Sequence, residues 1–122
     1  MSQKAWLIPP VASVPGALVL NWAAHEIEVS EKHPSVTVGR ADQNDVVIKN
    51  DEVSRLHARI DYRNGRFSLT DQSTNGSWVT DAAGAARLVR HDSHVLTGSG
   101  TISFGVKPEA DSPNLVRFRV GA

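Results

Sequence analysis

The sequence predicts an all-β fold, a sandwich or closed barrel of short antiparallel strands. Three observations carry this. Apolar residues recur with period two along almost the whole chain, as they do in half-buried strands. No window of a dozen residues keeps a helical period. Turn dipeptides punctuate the alternating segments at short intervals.

In chain order, residues 1–16 contain "PPVASVP" and read as an extended N-terminal segment, with the globular domain over 17–122. Alternation follows at Ile27/Val29 and Val36/Val38, the second pair leading into Gly39-Arg40. Over 57–63, Ala58, Ile60 and Tyr62 share one face, and His57, Arg59, Asp61 and Arg63 fall on the other. Asn64-Gly65 tolerates the two positive φ angles of a type I′ turn, so 57–63 and 66–71 should form a tight hairpin. "TDAAGAA", with Gly84, predicts a longer hairpin loop. Ile102/Phe104/Val106, the turn-rich "VKPEADSPN" and Val116/Phe118/Val120 complete the pattern.

Composition narrows the function. The 122 residues suit one domain, and 40% apolar with 21% charged residues is ordinary for a globular protein. Thirteen basic side chains balance thirteen acidic ones, so no broad electrostatic attraction to nucleic acid or anionic membrane is expected. Any anion must be held by a local cluster. Without cysteine there is no disulfide, thiolate ligand or thiol nucleophile. No apolar run is long enough for a membrane span, and the opening "MSQKAWLIPPVASVPGA" is too broken for a signal peptide, which points to the cytoplasm. His91 and His94, in "HDSH", have no evident third partner, so neither a metal nor another cofactor is expected. Trp6, Trp22 and Trp78 are scattered and read as packing residues, not a base-stacking platform.

The hairpin over 57–71 has a geometric consequence. Residues just before its first strand and just after its second emerge at one end of the sheet, which gathers Ser54, Arg55, Thr74 and Asn75. Gly39-Arg40, at the end of another strand, is expected at the same rim. Two guanidinium groups, two hydroxyls, a carboxamide and backbone N–H groups suit a phosphate. Loops at one end of a rigid sandwich are also the usual place for recognition.

"GR" at 39–40, "SRLH" at 54–57 and "STNG" at 73–76 resemble, in order and spacing, the three signature blocks of the forkhead-associated (FHA) domain, over roughly residues 17 to 106. The resemblance implies an antiparallel β-sandwich of about eleven strands. It also implies binding of phosphothreonine peptides through the end loops, without catalysis. Arg40, Ser54 and Thr74 then resemble phosphate contacts, with Arg55 facing peptide or phosphate, and Asn75 resembles the group that bonds the peptide backbone. Gly39, His57 and Gly76 resemble residues that shape the loops. The implied partners are a phosphothreonine-bearing protein and an upstream Ser/Thr kinase. A phosphate-independent scaffold of the same fold is the alternative. Two departures from the family pattern stand out. Thr80-Asp81 replaces a common Asn-Gly, which bears on the anchoring of the peptide-side loop, and Ser99-Gly100 replaces Gly-Asp in a distal turn.

Overall fold

The computed structural model describes residues 16–109, 112 and 114–121. The proposed extended segment, apart from Gly16, lies outside them. The strands are β1 Ala17–Trp22, β2 His25–Ser30, β3 Ser35–Gly39, β4 Val46–Val47, β5 Ala58–Arg63, β6 Arg66–Asp71, β7 Ser77–Asp81, β8 Ala86–Val89, β9 Ser93–Leu96, β10 Ser99–Phe104 and β11 Leu115–Val120. They form two sheets. One has the order β8-β7-β10-β11-β1-β2 and the other β9-β6-β5-β3-β4.

The alternation seen in the sequence becomes the packing. Leu18, Leu20, Val29, Val116, Phe118, Ile102 and Phe104 from the first sheet meet Val36, Val38, Ile60, Phe67 and Leu69 from the second in one buried cluster. Each such side chain contributes roughly 1.5–3 kcal/mol when fully buried. Trp22 packs partly buried against this cluster. The hairpin β5–β6 closes as expected, with Arg63 opposite Arg66 and φ of 51° at Asn64 and 80° at Gly65. The "TDAAGAA" segment joins β7 to β8, with Ala86 opposite Thr80.

Four details depart from the sequence reading. The pairing is not wholly antiparallel, since β3 and β4 run parallel with Val38 opposite Val46. The 40–45 turn carries the chain around so that it returns in the same direction, and Ile48 N–H closes it on the Gly39 carbonyl at 3.0 Å. β5 begins at Ala58, not at His57, which has 0% exposure and does not share the solvent face of Arg59. Its backbone N–H is held by the Val38 carbonyl at 2.9 Å, and its ring turns into the core against the Phe104 ring. β10 stops at Phe104, where Gly105 takes a φ of 83°, so Val106 falls outside the strand.

Thr80-Asp81 is the fourth. It ends β7 at the far end of that strand from Gly76, and Gly100 lies opposite Asp81 across β10. Both departures from the family pattern thus sit together at the end of the sheet remote from the 73–76 loop. Asp81 anchors its own hairpin, where its carboxylate accepts the N–H groups of Ala83 and Ala85 at 3.0 Å.

Candidate functional site

The chain brings the predicted rim residues together through three loops: 39–45 after β3, 50–57 before β5, and 72–76 between β6 and β7. The first two are joined backbone to backbone. Arg40 N–H donates to the Ser54 carbonyl at 2.9 Å and Ala41 N–H to the Arg55 carbonyl at 3.3 Å. Asn44, a buried residue that the sequence reading passed over, donates its amide to the Ala41 carbonyl at 2.8 Å and to the Arg55 carbonyl at 2.7 Å. Gly39 is required by contact: a Cβ there would collide with the Arg55 carbonyl oxygen and lie 2.7 Å from Asn44 Nδ2.

Arg40 is held but not neutralised. Its Nε donates to the Val53 carbonyl at 3.0 Å. The two acids near it in sequence are engaged elsewhere, Asp42 with Lys49 and Asp45 with the N–H and hydroxyl of Thr37. Among the described residues no carboxylate pairs with Arg40, so its terminal nitrogens keep their donors. Arg55 adds a second, exposed guanidinium on the adjoining loop.

The third loop is tied to the second by side chains. Ser54 Oγ accepts Thr74 N–H at 3.1 Å, which uses a lone pair and leaves the hydroxyl hydrogen to donate. His57 bridges the same two loops from beneath. Ser54 N–H donates to its Nδ1 at 3.0 Å, so the hydrogen is on Nε2, which donates to the Gly76 carbonyl at 2.9 Å. Burial holds the His57 pKa below its ordinary value of 6.5, against the smaller raising effects of the Gly76 carbonyl and Asp71. Nε2 lies 3.6 Å from Asp71 Oδ2, but because Nδ1 accepts the Ser54 N–H and carries no hydrogen the ring is neutral and the pair is not an ion pair.

Asp71 organises the rest of the third loop. Its buried carboxylate accepts Ser73 N–H at 2.9 Å, the Ser73 hydroxyl at 2.9 Å, the Ser77 hydroxyl at 2.7 Å and His91 N–H at 3.2 Å. Ser73 Oγ in turn accepts Gly76 N–H at 2.7 Å. These bonds turn the chain sharply, and Gly76 absorbs the turn at a φ of 90°. The sequence held a signal for Asp71, because an Asp two residues before a Ser is the pattern of a side-chain turn. Asn75 is half-buried, and its amide donates to the Glu52 carbonyl at 2.9 Å and to the Glu52 carboxylate at 3.3 Å. No sequence pattern announced Glu52 as its partner.

His91 is exposed and His94 half-buried, and among the described residues no group of three or more His, Asp or Glu is placed to hold a metal ion. No helix among them is long and apolar enough to cross a membrane.

The FHA domain family model matches residues 36–105, a stretch that contains all three loops and Asn75 with its partner Glu52. The chain belongs to the FHA domain family. The match is narrower than the 17–106 of the motif resemblance and leaves β1, β2 and β11 outside it. Among curated proteins the chain is 35% identical to the chloroplastic zeaxanthin epoxidase of Prunus armeniaca over 70% of its own length, and 34% identical to that of Nicotiana plumbaginifolia over 65%. It spans only 15% and 12% of those proteins. Among solved structures it is similar to the Rv1747 FHA-1 domain of Mycobacterium tuberculosis, with a TM-score of 0.68 at 24% identity over 88% of this chain and 99% of that one. It is also similar to the N-terminal FHA domain of S. cerevisiae RAD53P, solved with a phosphothreonine peptide. There the TM-score is 0.63 at 19% identity, over 85% and 91% of the two chains. These similarities show an FHA fold, and the described residues form it as a two-sheet β-sandwich of eleven strands.

Proposed function

We propose that this FHA domain binds phosphothreonine in an extended segment of a partner protein, within Ser/Thr-kinase-linked signalling or assembly, and acts by binding rather than catalysis. The observation that carries the reading is the Ser54 hydroxyl. It is fixed by Thr74 N–H with its own hydrogen unspent, in a loop whose backbone is bonded to Arg40. A phosphate seated there would take that hydrogen, the terminal nitrogens of Arg40 and further donors from Arg55 and Thr74. Charge-assisted bonds of this kind contribute about 1.5–3 kcal/mol each. Little is spent on ordering the loops, because His57, Asn44 and Asp71 already hold them. Asn75 would exchange its bond with Glu52 for the backbone of the bound segment. The RAD53P domain solved with a phosphothreonine peptide supports the assignment by family membership. A phosphopeptide-library screen with unphosphorylated controls tests it. Enrichment of phosphothreonine peptides that vanishes on dephosphorylation is expected, and equal capture of both sets would replace the reading with a phosphate-independent scaffold.

A further inference from the structure

The Asn75 side of the rim differs in charge from the Arg40 side. Asp51 and Glu52 are both exposed there, and among the described residues no cationic group pairs with either. Glu52 is not a loosely placed surface acid. Its N–H is bound by Asn50 Oδ1 at 2.9 Å, and the buried Val53 follows it. Its carbonyl packs against Gly105, where a Cβ would collide with that oxygen, and also accepts the Asn75 amide. Gly105 N–H is in turn held by the Gly76 carbonyl at 2.9 Å. The backbone of Glu52 is therefore locked between Asn75 of the third loop and Gly105 after β10, and its carboxylate reaches Asn75 Nδ2 at 3.3 Å.

From this we infer that Glu52 is a specificity-determining residue that selects partners carrying a lysine or arginine beside the phosphothreonine and disfavours acidic neighbours. The inference rests on the phosphothreonine reading above, because it takes Asn75 as the group that meets the bound segment. Any side chain of that segment passing Asn75 comes within reach of the Glu52 carboxylate. A cation there gains a partner for an unpaired acid, whereas an anion faces an unneutralised like charge. The ligand class becomes a segment with a dianion for Arg40 and Arg55 and a cationic side chain for Glu52.

The test uses one phosphothreonine peptide with lysine, alanine or glutamate scanned over the neighbouring positions on both sides, titrated against the parent, Glu52→Gln and Glu52→Lys. At one or more positions on one side of the phosphothreonine, the parent should bind the lysine peptide about three- to ten-fold tighter than the glutamate one. One exposed charge pair moves affinity by up to about five-fold, and the two peptides differ by an attraction gained and a repulsion lost. The ratio should shrink in Glu52→Gln, invert in Glu52→Lys and fall with added salt. A ratio unchanged in Glu52→Gln, or a preference for glutamate in the parent, overturns the inference while leaving phosphothreonine binding intact. If none of the phosphopeptides binds, the phosphothreonine reading fails and this inference with it.

Discussion

Replacing His57 by alanine tests whether the site is held from beneath by one imidazole. The ring has 0% exposure and makes two hydrogen bonds, accepting Ser54 N–H at 3.0 Å and donating to the Gly76 carbonyl at 2.9 Å. Removing it strands the Ser54 N–H, at about 1–3 kcal/mol for a buried group left unpaired, while the Gly76 carbonyl keeps its bond from the Gly105 N–H at 2.9 Å. The void beside the Phe104 ring, whose centroid lies 5.5 Å from that of His57, adds to this. A total of about 2–5 kcal/mol is expected once the void is included, a large part of the ~5–15 kcal/mol that holds a domain folded. At roughly 3–5 °C per kcal/mol for a chain of this size, the melting temperature should fall by at least about 6 °C. Phosphopeptide affinity should drop with it, measured by titration well below the mutant's melting temperature. A His57→Ala protein that melts within about 1 °C of the parent would refute the bridge.

Three further outcomes follow from the same geometry. Arg40→Ala and Ser54→Ala should each weaken phosphopeptide binding by about ten- to more than a hundred-fold, from loss of a charge-assisted bond, with little change in melting temperature; titrations in which both bind like the parent would sink the phosphate assignment. Phosphothreonine should bind roughly ten-fold better than phosphoserine in the same peptide, since burying the γ-methyl gives only about four-fold and a cavity left in a rigid pocket adds to it; equal affinities by calorimetry would point to a generic anion site. His57 should also make stability pH-dependent. Its folded pKa lies below 6.5, so the unfolded chain takes up a proton that the fold refuses, and this contribution to stability is complete above the unfolded value and is lost as pH falls below it. Melting curves from about pH 7.5 to pH 5.5 should show a decline that is shallower in a His57→Asn variant, and parallel profiles would count against it.

The alternation at Val36/Val38, Ile60, Phe67/Leu69 and Val116/Phe118 by itself determined an all-β fold, a sandwich or a closed barrel, because a strand's faces follow from sequence parity and one face of each had to be buried. Asn64-Gly65 likewise determined its hairpin, and with it which residues would emerge at the rim, since turn conformation is a local property of those two residues. Parity failed at His57, where the alternating pattern ran one residue past the start of β5 and put a buried bridging ring among solvent-facing neighbours. Asn44, Asp71 and Glu52 acquire their roles only when the loops meet: Asn44 holds a carbonyl eleven residues away, Asp71 receives an N–H twenty residues on, and Glu52 meets an amide twenty-three residues on. Period and turn chemistry are written residue by residue in the chain. A hydrogen bond between loops depends on where two sheets bring distant residues, and only the tertiary structure decides that.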